Sequence, residues 1–123
     1  MAISRLHVAR AQGAFNLVGG LWPLLSMRSF EAVYGPKTDK WLERTVAGLL
    51  VTVGISQLLS RTDSELDIAR LLGIGTATTL GAIDAIYVPR GRISPVYLQD
   101  LACEVGWVAA WLMADSKGDP PRR

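Results

Sequence analysis

Cysteine and histidine are almost absent from these 123 residues, which contain one of each, Cys103 and His7. A single cysteine excludes a disulfide within the chain and a thiol pair for redox work. A single histidine excludes a histidine-rich metal site. The sequence also offers no candidate geometry for Ser-His-Asp catalysis. The pair Gly73 and Gly75 lacks the strand and the third glycine of a dinucleotide-binding fingerprint. These absences favour a non-enzymatic protein, and no cofactor is expected.

Charge is also scarce, at 20% of the residues, whereas half of the residues are apolar. Short charged segments separate four long stretches that are nearly free of charge, and such stretches predict four transmembrane helices arranged as two helical hairpins. A soluble four-helix bundle is the alternative, but the segment 46–59 lacks the wide polar face that a soluble helix shows. The four stretches are 11–27 and 45–60 with no charge, 71–88 with only Asp84, and 93–114 with only Asp100 and Glu104.

The boundaries of the helices follow from local signals. The capping-box pattern from Thr62 to Glu65 places the start of the third helix. Apolar residues at helical spacing before Gly35 and Pro36 predict a short helix at the membrane interface between the first two spans. We predict an all-α chain with one membrane domain over residues 1–114, spanning helices at about 6–27, 39–59, 63–88 and 95–114, and a disordered polar tail at 115–123.

Small residues recur every four positions along three of the predicted helices, a spacing that permits close helix contact in membranes. We therefore predict helix packing at Gly48, Gly73, Gly81 and Gly106. The pattern fits either a tight bundle or contact with another subunit, and the sequence does not separate the two. The stripes are Gly48, Thr52 and Ser56; Gly73, Ala77, Gly81 and Ala85; and Ala102, Gly106, Ala110 and Ala114.

Three carboxylates lie within the predicted spans, all toward the same membrane face: Asp84, Asp100 and Glu104. Ionisable groups inside a membrane usually face the protein interior and have a partner, and Arg44 is the expected counter-ion of Glu104. Asn16 adds an uncharged polar group deeper in the bundle. The functional hypothesis is a proton or cation site, or a polar pocket for a lipid or quinone headgroup. The alternative is an internal salt-bridge network that fixes the order of the helices.

Partners are expected in the membrane rather than among nucleic acids, because the basic residues are divided between both ends of the predicted bundle and mixed with acids. Asp100 and Glu104 point nearly opposite to Gly106, so both faces of the fourth helix require protein neighbours. The favoured interpretation is an accessory or assembly subunit of a membrane complex, or a homo-oligomer. The alternative is a small transporter or a lipid- or quinone-binding protein. Both termini are expected on the cytoplasmic side of a bacterial cytoplasmic membrane.

Two segments carry a resemblance to known proteins. MRSFEAVYGPKTDKWL and IDAIYVPRGRISPVYLQD resemble stretches of small, uncharacterised four-helix bacterial membrane proteins. The size and hairpin layout are also distantly similar to the DoxX-like group, a resemblance of architecture that implies quinone-linked sulfur redox chemistry. No functional residue is carried over, since the chain has one cysteine and no recognisable redox motif.

Overall fold

Five helices and two very short strands make up residues 3–115, the part of the chain that this computed structural model describes. The all-α prediction is confirmed. The predicted polar tail lies outside the described residues except for Asp115, which is in a strand. In chain order the elements are β1 (Ile3–Ser4), α1 (Arg5–Leu25), α2 (Met27–Tyr34), α3 (Lys40–Leu59), α4 (Asp63–Tyr87), α5 (Tyr97–Met113) and β2 (Ala114–Asp115).

Local capping explains where the helices begin and end. The hydroxyl of Thr62 accepts the backbone N–H of Glu65, whose carboxylate accepts the N–H of Thr62, so the predicted capping box starts α4. Gly35 ends α2 with a φ of +95°, a conformation that residues with a Cβ rarely adopt. Helix α5 begins at Tyr97, two residues later than predicted, because the Ser94 hydroxyl accepts the N–H of Val96 in a turn before the helix.

The helices pair as two hairpins, with α3 lying along α1 and α5 lying along α4. The first pair is held at backbone contact by glycines. A Cβ on Gly54 would lie 2.6 Å from the carbonyl oxygen of Gly13, and one on Gly20 would lie 2.6 Å from that of Ala47. Residue pairs 13/54 and 20/47 therefore set the antiparallel register of this hairpin. A bulkier side chain at either glycine contact would push the two helices apart.

The two hairpins meet mainly through α1 and α4, and both ends of the described chain close the same end of the bundle. There β1 pairs in parallel with β2, and Arg5 lies 2.7 Å from Asp63 and from Asp67. We call this the strand end. Just inside it packs an apolar core that consists of Val8, Ala9, Leu66, Ala69 and Trp111.

Much of the apolar surface of the chain faces outward. Helices α3 and α4 are long and apolar enough to cross a membrane, and only 17% and 28% of their most apolar windows are buried within the chain. No other described helix meets the same criteria of length and composition. The structure therefore has the predicted hairpins and the predicted short helix α2, with two candidate spans.

Candidate functional site: carboxyl groups beneath helix α2

A cluster of three carboxyl groups lies at the end of the bundle opposite the strand end, which we call the α2 end. Asp84 lies near the end of α4, and Asp100 and Glu104 lie in the first two turns of α5. Asp84 is 3% exposed and Glu104 is 1% exposed, whereas Asp100 is half-buried. Asp100 is close enough to interact electrostatically with both of the others. The structure thus brings together the three carboxylates that the sequence singles out.

Small residues on α4 create the space for this cluster. Gly81 lies on the buried face of α4 one turn before Asp84. A Cβ added at Gly81 would lie 3.4 Å from the Cβ of Glu104, in van der Waals contact. The absence of a side chain at this position lets α5 approach α4 closely, so that the two helices enclose Glu104.

The most deeply buried carboxyl oxygens have no partner. Among the described residues, Oδ2 of Asp84 and both side-chain oxygens of Glu104 lack a hydrogen bond, as does the buried Nε1 of Trp107. Buried carboxylates normally have a hydrogen bond or a counter-ion, because removing an ion from water is costly. Two carboxyl groups in contact can hydrogen-bond each other only if one of them carries a proton. This arrangement suits a group that takes up a proton.

Arg44 does not neutralise Glu104, and the predicted ion pair is wrong. Both oxygens of Glu104 lack a partner, and Arg44 is exposed beside Arg28 and Glu31. The reason is the face of α3 on which Arg44 lies. Arg44 is exposed on the outer face, beside Arg28, whereas the preceding residue, Glu43, is half-buried on the side of Tyr97 of α5. The predicted salt-bridge network between these two residues does not form.

Helix α2 covers this end of the bundle with aromatic rings. Tyr34 stacks on Phe30 with ring centroids 4.9 Å apart and contacts Tyr97 of α5 at 4.7 Å. Trp22 of α1 meets the edge of Phe30 at 5.5 Å. Burial raises the pKa of Tyr34, and the nearby carboxylates add to the rise. The aromatic cluster therefore interacts electrostatically with the carboxyl groups beneath it.

Lys37 is a basic residue that packs against the aromatic cluster. Its ammonium group lies 4.4 Å from the centroid of the Tyr97 ring and donates a hydrogen bond to the Tyr97 hydroxyl. Partial burial lowers the pKa of Lys37, and the charges of Glu43 and Glu31 partly offset that effect. The ammonium faces the rings of Tyr97 and Phe30.

Asn16 belongs to a different site, a buried network of amides nearer to the strand end. Its Nδ2 donates to Oε1 of Gln57 at 2.9 Å, and Nε2 of Gln57 donates to Oε1 of Gln12 at 2.9 Å. The same Gln12 oxygen accepts Nε1 of Trp111 at 2.6 Å. Gln12 in turn donates to the carbonyl of Gly73 at 3.1 Å. This network joins the two hairpins through uncharged side chains.

Gln12 and Trp111 are site members that the sequence alone does not identify. Uncharged polar residues on apolar helices form no local motif, and the partners are as many as 99 residues apart. One signal in the sequence was that Gln12 and Asn16 lie one turn apart, on the same face as the close-packed Gly13 and Gly20. Polar residues that share a face with close-packed glycines point inward.

The four glycines predicted to mediate helix packing fall into two pairs. Gly73 lies beneath the amide network, where a Cβ would collide with Gln12 and Trp111, and Gly81 lies against Glu104. A Cβ added at Gly48 or Gly106 would have no atom of another part of the chain within 4 Å. For Gly48 and Gly106, the alternative that stays a prediction is packing against a helix of another subunit.

Neither the arrangement of metal-ligand residues nor comparison with known proteins identifies a ligand for this site. Among residues 3–115, no group of three or more His, Cys, Asp or Glu residues is arranged to hold a metal ion. The resemblance to DoxX-like proteins remains a prediction from the sequence. Comparison with protein-family models, curated proteins and solved structures finds no match to this chain.

Proposed function

We propose that the chain is a multi-pass membrane protein in which α1, α3, α4 and α5 all cross the bilayer. The support begins with α3 and α4, which expose most of their apolar surface instead of burying it in a core. A core helix of a soluble protein would bury that surface. The other two helices contain more polar residues, of which Gln12 and Asn16 of α1 and Glu104 of α5 point inward and are at most 2% exposed, whereas the exposed His7 and Gln99 lie in the first turn of their helices.

Hydroxyl groups on the outer surface are also compatible with lipid. Thr45, Thr52, Ser56 and Thr79 are exposed, and each donates a hydrogen bond to the backbone carbonyl four residues earlier. Such back-bonding satisfies a hydroxyl within its own helix. These residues can therefore face hydrocarbon without leaving an unpaired donor.

Within the membrane we propose a non-enzymatic role as an accessory or assembly subunit. The observation that carries this proposal is the outward position of Gly48 and Gly106, where an added Cβ would have no atom from another part of the described chain within 4 Å. Each lies at four-residue spacing from an exposed small residue, Thr52 and Ala102 respectively. Small-residue faces of this kind allow the backbone of another helix to approach closely.

The proposal is tested by replacing these outward glycines with leucine. Gly48→Leu and Gly106→Leu should leave the fold intact, because a Cβ at either position meets no atom from another part of the described chain within 4 Å and the side chain can extend outward. Each should reduce the mass of the particle that is extracted in mild detergent, or remove a co-purifying protein. The measurement is light scattering combined with mass spectrometry of the purified particle.

Gly19→Leu is the matched control for both variants. Gly19 also has open space around it, but Phe15 and Pro23 occupy the positions four residues away, so it belongs to no small-residue face. If the wild type is a monomer without partners, or if all three variants assemble as it does, the accessory role is wrong.

A second candidate, a small transporter for protons or cations, is favoured by the unpartnered oxygens of Glu104 and Asp84. Glu104→Gln removes the acidic proton site while retaining shape. We expect it to abolish proton or cation flux in proteoliposomes and to leave the protein folded. Asp39→Asn, in the exposed segment before α3, should transport as the wild type does. Normal flux through the Glu104→Gln protein would exclude this candidate.

A further inference from the structure

A basic cavity lies on the outer side of helix α2, separate from the carboxyl cluster. It has a volume of about 410 Å³ and opens between α2 and the start of α3. Three cations, Arg28, Lys40 and Arg44, line it together with one carboxylate, Glu31. Met27 and Pro36 contribute apolar walls. A cavity with this excess of positive charge selects for an anion.

The negative charge in this cavity is already engaged. Oε1 of Glu31 lies 3.3 Å from Nζ of Lys40, and Oε2 accepts the backbone N–H of Lys37 at 2.8 Å. By contrast, Arg28 and Arg44 make no hydrogen bond or ion pair with any residue in the described range 3–115. Two guanidinium groups, each able to bind a phosphate through two parallel hydrogen bonds, thus remain free to bind a ligand.

The residues around the cavity are of the types that favour the level of the lipid headgroups. Arg44 lies one helical turn after Lys40, which places its Cα roughly 6 Å further along the helix axis. Tryptophan and tyrosine favour the boundary between hydrocarbon and water, and here Trp41 is 68% exposed and Tyr34 belongs to the neighbouring aromatic cluster. Basic pockets at this level of a membrane protein bind acidic headgroups.

We propose that this cavity binds the phosphate of an acidic phospholipid, with Arg28 and Arg44 as its principal ligands and Lys40 shared with Glu31. The proposal rests on the membrane location argued above, because only a chain in the bilayer meets lipid headgroups from the side. The phosphate would be the ligand of Arg44, which makes no ion pair with the carboxyl cluster.

The test uses the full-length protein in nanodiscs made of phosphatidylcholine with equal phosphatidylglycerol. Native mass spectrometry of protein released from these discs should show retained phosphatidylglycerol in excess of phosphatidylcholine. The double variant Arg28→Gln and Arg44→Gln should weaken that retention by about tenfold or more, since each basic residue contributes to binding.

The matched control is the double variant Arg90→Gln and Arg92→Gln, which removes the same net charge from the α4–α5 connection outside the cavity. It should retain phosphatidylglycerol as the wild type does. Equal loss of phosphatidylglycerol in both double variants would show that retention depends only on the net positive charge, and it would contradict a specific site in the cavity. Binding of inorganic phosphate at millimolar concentration, with displacement of the lipid, would assign the cavity to a soluble phosphate compound instead.

Failure of this inference is distinguishable from failure of the membrane proposal. A protein that is recovered without detergent and does not enter nanodiscs of phosphatidylcholine alone contradicts the membrane location, and the lipid site with it. A protein that enters those discs but retains both lipids equally contradicts only the lipid site.

Discussion

Gln12 and Gln57 each make three side-chain hydrogen bonds within the buried amide network, and Gln12 accepts two of its three through one oxygen. Removing a group that serves several buried partners leaves each of them unsatisfied, and each orphaned group costs about 1–3 kcal/mol. Removing one donor that shares its acceptor with another costs less. The residues of the network therefore contribute unequally to the free energy of unfolding.

We accordingly expect Gln12→Leu to lower the free energy of unfolding by roughly 2–4 kcal/mol, since it leaves Nε1 of Trp111 without an acceptor and removes one of the two acceptors of Nε2 of Gln57, which keeps the carbonyl of Ala69. Trp111→Phe should cost roughly 1–3 kcal/mol, because Gln12 keeps its hydrogen bond from Gln57. Denaturant unfolding of the purified protein in detergent measures both. Equal losses in the two variants would show that the network does not connect through Gln12.

Glu31 predicts a pH dependence outside the spanning helices. Its hydrogen bond from the backbone of Lys37, assisted by Lys40, holds its pKa below the ordinary value. Because the pKa is lower in the folded state, the stabilisation is complete above the ordinary pKa and is lost as the pH falls through the folded-state value. Acidification should therefore release the segment 35–39 from α2.

The chemical shift of the Lys37 amide proton follows this event directly in an NMR titration. We expect a midpoint below the ordinary glutamate value of about 4.3, and no transition in Glu31→Gln. A midpoint at or above about 4.3 in the wild type would contradict the bond between Glu31 and Lys37.

At the scale of the helices, the backbone contact between α1 and α3 predicts sharp differences between glycines on one helix. In Gly54→Ala the new methyl group would lie 2.6 Å from the Gly13 carbonyl and 2.7 Å from the Leu17 nitrogen, so the two backbones must separate. We expect a loss of roughly 2–4 kcal/mol, at or above the usual range for overpacking.

Gly48→Ala on the same helix is the control, since its methyl group meets nothing within 4 Å. It should leave the thermal unfolding temperature unchanged or slightly raised, as alanine favours a helix. Similar unfolding temperatures for both variants would mean that α1 and α3 are not in backbone contact.

Helix positions were the most predictable feature because they depend on local patterns. Charge-free stretches and the Thr62–Glu65 capping box predict helices whose observed ends lie within two residues of those expected. The all-α class follows from the same signals. Four-residue spacing does not predict the contact of Gly13 with Gly54. The two glycines of α1 at this interface, Gly13 and Gly20, are seven residues apart.

Which helices become neighbours is not encoded locally, and it decides the site. The three carboxylates could be placed together from the sequence because Asp84 and Asp100 flank one short connection. The partner of Glu104 could not, because the sequence does not show that Arg44 lies on the outer face of α3, beside Arg28. The outward direction of Gly106 follows from the same choice of neighbours, since α5 turns its acidic face toward α4.

At the scale of the whole molecule, the two hairpins are joined at the strand end by Arg5, whose side chain is 10% exposed and lies 2.7 Å from both Asp63 and Asp67. Side chains of these aspartates are 41% and 69% exposed, so water can replace the guanidinium if it is removed. The charge-assisted bonds should nevertheless contribute more than an exposed surface pair, because the arginine itself is buried.

Arg5→Gln should therefore lower the free energy of unfolding by roughly 1–3 kcal/mol, in contrast to Arg61→Gln in the exposed connection between the hairpins, which should change it by less than about 0.5 kcal/mol. Unfolding followed by tryptophan fluorescence measures both, since Trp111 lies in the core between the hairpins. If the hairpins dock through this clamp, the Arg5→Gln protein should expose Trp111 before its helices melt, as seen by circular dichroism. Coincident transitions at the wild-type midpoint would instead mean that the amide network alone holds the hairpins together.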